Sequence, residues 1–266
     1  MLVNLIDGER KIKYLLFVSL LSLIQPQLLS PENNATLNYT HVLFNWIQDV
    51  EATVYQLQIN TSNTFTANMV VDKQVSSHYS IEKSNLEWGN QYFWRVRLVD
   101  TDDSQGDWST IFSFSIGENS ETFTNDNDPI VVINHKPELT SNGIVFFGSY
   151  INQYSAAIDV DGNEVWNSGS PNSFVYFNHT ESGELLGGIY NESYQYSTNM
   201  YGGAVDIDMN TLFVEDPFEE MIPNTDFLQH EIIKLPNGNY LTLGPDIRNY
   251  PIPTLNGQFS WEDEFT

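Results

Sequence analysis

Beyond Lys136 the chain carries two histidines, His179 and His230, and two cations, Lys234 and Arg248. These are the side chains in that half that could move a proton or hold an anion, since imidazole titrates near neutrality and an ammonium or guanidinium gathers charge on oxygen. The 97 residues between Lys136 and Lys234 contain no Lys or Arg, so no anion-holding cation can come from them. His230 stands just ahead of an apolar segment, Ile232, Ile233 and Leu235. Taken alone, a single histidine near a strand start is more often a hydrogen-bonded structural residue than a catalyst. His179 lies beside a Ser182-Gly183 turn, a position that favours solvation.

Other chemistries are thinly represented. There is no cysteine, so a disulfide framework and a thiolate metal site are both excluded. Asp159-Val160-Asp161-Gly162-Asn163-Glu164 resembles a calcium loop at first sight. Its glycine falls at the fourth position and no bidentate acid follows at the required distance, so a hairpin turn is the better reading and no metal site is expected. No Gly-x-Ser-x-Gly element, phosphate loop or dinucleotide fingerprint is present. With 10 Lys+Arg against 35 Asp+Glu the net charge is −25, which excludes a nucleic-acid surface and favours solubility.

The elements that would position these groups are short strands and turns. Ile232–Leu235, a Pro236-Asn237-Gly238 turn and Tyr240–Leu243 form a hairpin, because Asn-Gly between β-compatible runs is a strong turn signal. Asn142-Gly143 ahead of Ile144–Gly148 and Ser182-Gly183 ahead of Glu184–Gly187 repeat the pattern, with turn glycines 40 and 55 residues apart. A second element, Ala157–Trp166, recurs as Ala204–Phe213 at an offset of 47. Units of about 40–50 residues built from short strands predict a β-propeller with about four strands per blade.

Residues 128–248 resemble the opening of the aryl sulfotransferase (arylsulfate sulfotransferase) propeller. The match rests on Pro137-Glu138-Leu139 with Asn142-Gly143, on Ile158-Asp159-x-Asp161-Gly162-x-x-Val165-Trp166, and on His230-Glu231-Ile232-x-x-Leu235-Pro236-Asn237-Gly238-Asn239. Where the family often shows His-His-Asp-Ile, Gln229 replaces the first histidine and Glu231 the aspartate. The resemblance implies transfer of a sulfuryl group from an aryl sulfate to a phenolic acceptor through a transiently sulfated histidine, with no metal or other cofactor. A nucleophilic nitrogen splits one displacement into two easier ones, and cationic donors stabilise the non-bridging oxygens. It gives His230 a catalytic role in oxygen stabilisation or proton transfer, and leaves the nucleophilic histidine to a later blade. Arg248 has two readings: a substrate-binding cation turned toward a central channel, or a surface ion pair with Asp246.

The first domain, residues 29–117, reads as a β-sandwich. Strands are expected over Val42–Trp46, Val54–Asn60, Met69–Lys73, Tyr92–Val99 and Ile111–Ile116, with strict alternation in Tyr55–Asn60 leaving one face wet. Tyr92, Trp94, Val96 and Leu98 should point inward. Leu86-x-x-Gly89-x-x-Tyr92 resembles the tyrosine corner of fibronectin type III domains, and Ser30-Pro31, Phe44-x-Trp46 and Trp108-Ser109 extend that likeness across the segment. Arg95, Arg97 and Trp108 form either a binding patch or, as preferred here, a guanidinium-on-indole stack at the sheet edge. Residues 118–128 are polar and acidic, a linker by composition, and residues 129–266 would make about three blades.

At the amino terminus Arg10, Lys11 and Lys13 precede the apolar run Tyr14–Ile24. Residues 1–28 therefore read as an export signal or membrane anchor, with a buried hydrophobic segment as the competing reading. Eleven residues are too few for a stable membrane span, and Gln25-Pro26-Gln27 is not a small-x-small cleavage site.

The expectation is an all-β, exported protein in the periplasm, outside the cell or at its surface: a fibronectin type III-like sandwich followed by an incomplete β-propeller. Closed propellers take about four to eight blades, so the sequence reads as a truncated product whose nucleophilic histidine lies past Thr266. The expected partners are a small aryl sulfate and a phenol. The alternative is a non-catalytic extracellular binding or adhesion protein using both modules for contact, because fold does not fix function. A third reading, a propeller holding a redox cofactor, rests on the Asp-x-Asp-Gly turns alone.

Overall fold

The structure is a computed structural model that describes residues 25–49, 54–66, 69–99, 104–119, 136, 143–149, 154–170, 173–190, 200–214, 231–242, 252–253 and 259–260. It is all-β, with no helix among the described residues. The chain divides into two compact units, Met1–Thr36 with Thr40–Ile116, and Leu37–Tyr39 with Gly117–Thr266.

The first unit is an antiparallel sandwich. One sheet has the order β1-β3-β6, from Leu28–Ser30, Val42–Trp46 and Tyr79–Glu82. The other has the order β2-β8-β7-β4-β5, from Ala35–Leu37, Phe112–Ile116, Gln91–Val99, Val54–Asn60 and Val71–Val75. Aromatic and aliphatic residues at every second position meet between the sheets, as the period of two requires. Phe44 packs edge-on against Trp94 with centroids 5.1 Å apart and against Phe114 at 5.7 Å, and Trp46 meets Tyr55 at 5.3 Å. The Tyr92 hydroxyl accepts the Glu87 backbone N–H at 2.9 Å, beside buried Leu86 and a left-handed Gly89, so the tyrosine corner is present.

Two expectations need correction. The edge strand is Val71–Val75 rather than Met69–Lys73: three polar residues in a row hide its alternation from the sequence, and pairing of Val71 with Ile59 and Asp72 with Gln58 sets its register. The expected wet face of β4 is not wet, because Gln58 and Asn60 are buried. Arg95 and Asp72 both hydrogen-bond Gln58, which removes the penalty of drying it. Leu98, paired with Tyr55, lies on the inward face as expected and is half-buried, while Val99, paired with Val54 on the other face, is buried where β7 bridges Gln105.

The second unit is a series of antiparallel meanders. β9 (Val145–Ser149), β10 (Tyr154–Ile158) and β11 (Glu164–Asn167) form a sheet of order β11-β10-β9. β12 (Phe174–His179), β13 (Leu185–Tyr190), β14 (Met200–Val205) and β15 (Thr211–Val214) follow in sequence order as a four-stranded sheet. Two hairpins come next, β16 (Ile232–Lys234) with β17 (Tyr240–Thr242), and β18 (Ile252–Pro253) with β19 (Phe259–Ser260).

The four-stranded sheet is covered on both faces. One face sends Phe174, Leu185 and Val205 into a cluster with Ala157, Val165 and Trp166 of the preceding sheet. The other sends Leu186 and Ala204 against Ile232 of the following hairpin. Gly148 lets β9 approach β12 closely, since a Cβ there would lie 2.7 Å from the Tyr176 carbonyl oxygen. Ser155, fully buried, clips the same sheets together: its hydroxyl donates to the Phe174 carbonyl at 2.9 Å and accepts the Tyr176 N–H at 2.7 Å.

Ser155→Ala leaves a buried donor and a buried acceptor without that partner, at a cost of about 2 kcal/mol. Urea unfolding of the purified chain should show this as a lower midpoint at unchanged slope; a midpoint equal to wild type would contradict the clip.

Candidate functional site

The catalytic candidate His230 and the substrate-binding candidate Arg248 both lie outside the described residues. What the structure does define is the hairpin that begins two residues after His230. Ile232 is fully buried against Leu186 and Ala204, so the apolar pattern fixes which face of the hairpin turns inward. Tyr240 stacks on Phe213 with centroids 4.1 Å apart and planes 9° from parallel. Lys234 reaches Glu184, its Nζ 2.6 Å from Oε1 and 2.8 Å from Oε2, and lies 5.3 Å from the centre of the Tyr240 ring. The hydrogen bond that Lys234 donates to Glu184 raises the Lys234 pKa above its ordinary value, so the ammonium stays charged and committed to that carboxylate. Nothing in the sequence spacing marks Glu184 as this partner, since fifty residues separate the pair.

His179 is exposed at the end of β12, with Nδ1 2.8 Å from the Tyr176 hydroxyl and the two rings stacked at 6.3 Å. Burial raises the Tyr176 pKa, which keeps its hydroxyl protonated. The pair is a surface contact consistent with a solvated histidine, and it includes neither Lys234 nor Glu184.

Both Asp-x-Asp segments are hairpin turns. In the first, the Asp159 carboxylate accepts the N–H groups of Asp161 and Asn163 at 2.9 Å, the Gly162 N–H donates to the Asp159 carbonyl, and Gly162 has φ 89°. The second repeats the arrangement at Asp206, Asp208 and Asn210, with Met209 at φ 65° in the glycine's place. Met209 packs against the cluster around Trp166, whose indole N–H donates to the Ile207 carbonyl at 2.8 Å, and this contact offsets the left-handed backbone. The carboxylates serve the turns. Among the described residues no group of three or more His, Asp or Glu could hold a metal ion.

In the first unit, Arg95 and Arg97 lie over the Trp108 ring at 4.0 and 4.2 Å, and Arg95 also lies over Phe65 at 4.1 Å. Each guanidinium donates through Nε and Nη2 to one glutamine, Arg95 to Gln58 and Arg97 to Gln56. Asp72 accepts from both glutamine amides at 2.6 and 2.9 Å. The guanidinium-on-indole stack is present, but it lies on the face of the five-stranded sheet at its central strand β7 rather than at the sheet edge. A cleft of about 220 Å³ in this unit, lined by Pro26, Gln27, Ile47 and Leu98 among others, has neither histidine nor cation in its walls.

Residues 32–120 match the family model described as Rha78A-like, N-terminal immunoglobulin domain. Similar solved structures include an Fn3-like protein from Clostridium thermocellum at 14% identity, covering 35% of this chain and 93% of that one, with a TM-score of 0.28. An alpha-L-rhamnosidase from Dictyoglumus thermophilum matches at 18% identity over 52% of this chain and 17% of its own, with a TM-score of 0.31. A beta-1,2-glucanase from Parabacteroides distasonis matches at 18% identity over 38% of this chain, with a TM-score of 0.29, and the match spans 14% of its length. No curated protein matches the chain.

Glu82 gives the sandwich a pH-sensitive contact. Burial alone would raise its pKa, but hydrogen bonds from Lys73 at 3.0 Å, Asn85 at 2.8 Å and the Ser84 N–H outweigh it and lower the pKa below the ordinary 4.5. A folded-state value below the unfolded one contributes stability above about pH 4.5 that is lost as pH falls through the folded value. Glu82→Gln should flatten the acid limb of the stability profile below pH 4.5; an unaltered limb in denaturant titrations would contradict this.

Proposed function

We propose that this chain is an exported aryl sulfotransferase-like protein whose second unit is built of propeller blades and whose immunoglobulin-like first unit is an accessory module. In this reading a sulfuryl group passes from an aryl sulfate to a histidine nitrogen as the S–O bond to the aryl group breaks, and then to the oxygen of a phenolic acceptor as the S–N bond breaks. His230 serves the transition state by holding a non-bridging oxygen or by moving the proton of the phenol, and Arg248 binds the sulfate. The nucleophilic histidine is assigned to no residue of this sequence.

The observation that carries the reading is the hairpin entered from His230. It has the family's Leu-Pro-Asn-Gly-Asn turn, closed by Leu235 N–H to Asn239 O at 2.7 Å, and it packs through Ile232 on a four-stranded meander that has a further sheet on its other face. Consecutive antiparallel meanders stacked face to face are what a propeller requires. A histidine at the entry of such a strand would be held by an element with little freedom to shift.

The second reading, a non-catalytic extracellular binding protein, draws its support from the cations. Lys73, Arg95, Arg97 and Lys234 are all engaged with groups of the protein itself. It also fits the match of residues 32–120 to an immunoglobulin domain.

The protein expressed from its full reading frame, incubated with 4-nitrophenyl sulfate and phenol, should release nitrophenol and form phenyl sulfate. His230→Ala should lower kcat/KM by about 100-fold or more without shifting Tm, and Arg248→Ala should act mainly on KM. Absence of transfer would favour the binding reading, and turnover unchanged in His230→Ala would remove that residue from the site.

A further inference from the structure

The repeat at an offset of 47 extends to strand pairing. The partners in β10 and β11 are Ile158↔Glu164, Ala157↔Trp166 and Ala156↔Asn167, and those in β14 and β15 are Val205↔Thr211, Ala204↔Phe213 and Gly203↔Val214. β11 and β15 are therefore equivalent strands, each at the end of its sheet. Their outer edges differ. Leu37–Tyr39, a segment of the second unit, lies along β11: Tyr39 bridges Trp166 in antiparallel fashion, and the Asn167 N–H donates to the Asn38 carbonyl at 3.0 Å. Val165 and Asn167 of that covered strand are 4 and 0% exposed. Nothing among the described residues pairs with the outer edge of β15, and the counterparts Leu212 and Val214 are 49 and 46% exposed.

An open strand edge presents backbone N–H and C=O groups to any extended chain, and folded proteins blunt such edges with charge or proline. Thr211-Leu212-Phe213-Val214 has neither. Leu212 and Val214, two positions apart, offer apolar side chains on one face of the strand. The matching register puts the Val214 N–H where the Asn167 N–H stands in β11. Charge selects what can lie there. Asp206 and Asp208 precede the strand, and Glu215 and Asp216 follow it in sequence. A second copy paired antiparallel along the same edge would set the acids before one strand against those after the other, and like charges so placed repel. A segment with basic ends meets both groups favourably.

We propose that the outer edge of β15 is a strand-addition site for an extended segment of another protein, a short uncharged strand flanked by Lys or Arg. The segment takes on β15 the place that Leu37–Tyr39 takes on β11: one of its carbonyls accepts the Val214 N–H, and its apolar side chains cover Leu212 and Val214. Main-chain hydrogen bonds hold it, and its basic ends face the acids that bracket the strand, so the contact weakens as salt rises. The inference stands apart from the catalytic reading and survives if sulfuryl transfer fails.

A fluorescein-labelled synthetic peptide, Thr-Val-Thr-Val-Thr with a pair of lysines at each end, should bind the full chain saturably in fluorescence anisotropy, and the same peptide with glutamates at its ends should not. Val214→Pro removes the outward N–H, a change that an edge strand tolerates, and should weaken binding about tenfold at the wild-type Tm. Leu212→Lys, which sets a cation beside the bound lysines, should also weaken it about tenfold. In hydrogen exchange the peptide should slow the Val214 amide and leave the Asn167 amide, already bonded to Asn38, unchanged. A lysine peptide that fails to bind, or unchanged affinity in both variants, overturns the proposal. So does binding that leaves the Val214 amide unaltered. Equal affinity for the lysine and glutamate peptides overturns the basic partner, and a solution dimer that Leu212→Lys dissociates overturns it in favour of a second copy.

Discussion

Leu185 and Leu186 are adjacent on one strand, so their side chains leave opposite faces of the sheet, and both are buried. That fact constrains the whole second unit. A sheet with one core face can bury one of two neighbouring leucines; burying both requires a layer on either side. The chain supplies them in order, with Ala157, Val165 and Trp166 of the earlier sheet on one face and Ile232 of the later hairpin on the other. The Ser155 clip and the close approach at Gly148 follow from the same need, because two sheets that meet through small and hydrogen-bonding residues can approach without a gap.

The turns are the second constant. Asp159–Asn163, Thr180–Glu184, Asp206–Asn210 and Leu235–Asn239 share one hydrogen-bond pattern, in which the first residue donates to the fifth carbonyl and accepts from the fourth N–H. The fourth residue has positive φ in every case: Gly162, Gly183, Met209 and Gly238. This is a three-residue hairpin loop closed by a bulge, and it sets the strand register independently of what the strands contain. In three of the four the first residue offers a side-chain oxygen to the fifth residue's N–H, and in the last Asn237 does so instead.

Much of this was legible because local rules dominate turns and alternating strands. The glycine turns, the Ala157–Trp166 repeat at Ala204–Phe213, the tyrosine corner and the Arg–Trp–Arg stack all follow from residue type and spacing. The Gly183 and Gly238 turns and the Asp-x-Asp turns read as separate repeats, yet they are the same turn in successive hairpins, while Asn142 of the first glycine turn lies outside the described residues. The identity was hidden because Met209 takes a glycine's position, a choice dictated by its packing near Trp166 and invisible to propensity. Gln58 was misjudged for a related reason, since a polar residue is buried when distant partners satisfy it, whereas buried Asn60 has only the adjacent Thr61 N–H on its Oδ1. Edge strand β5 was shifted by two because pairing with β4, and not its own composition, decides its limits. The Lys234–Glu184 pair spans fifty residues and carried no signal in the sequence.

Charge ties the fold to function. In a chain this acidic a cation is scarce, and four of the six in the described residues, at 73, 95, 97 and 234, are held by Glu82, Gln58, Gln56 and Glu184, the others being Lys83 and Lys136. An anionic substrate must therefore be met by groups other than these, which is why the sulfuryl-transfer reading leans on His230 and Arg248. That reading depends first on the stacked arrangement of sheets around β13, which native-state hydrogen exchange tests most directly. The amides of Leu185–Tyr190 should be the slowest to exchange in the second unit, opening together with those of β10 and β16 in one cooperative step. Exchange of β13 as fast as that of a free hairpin, or its opening independently of both neighbours, would contradict the account.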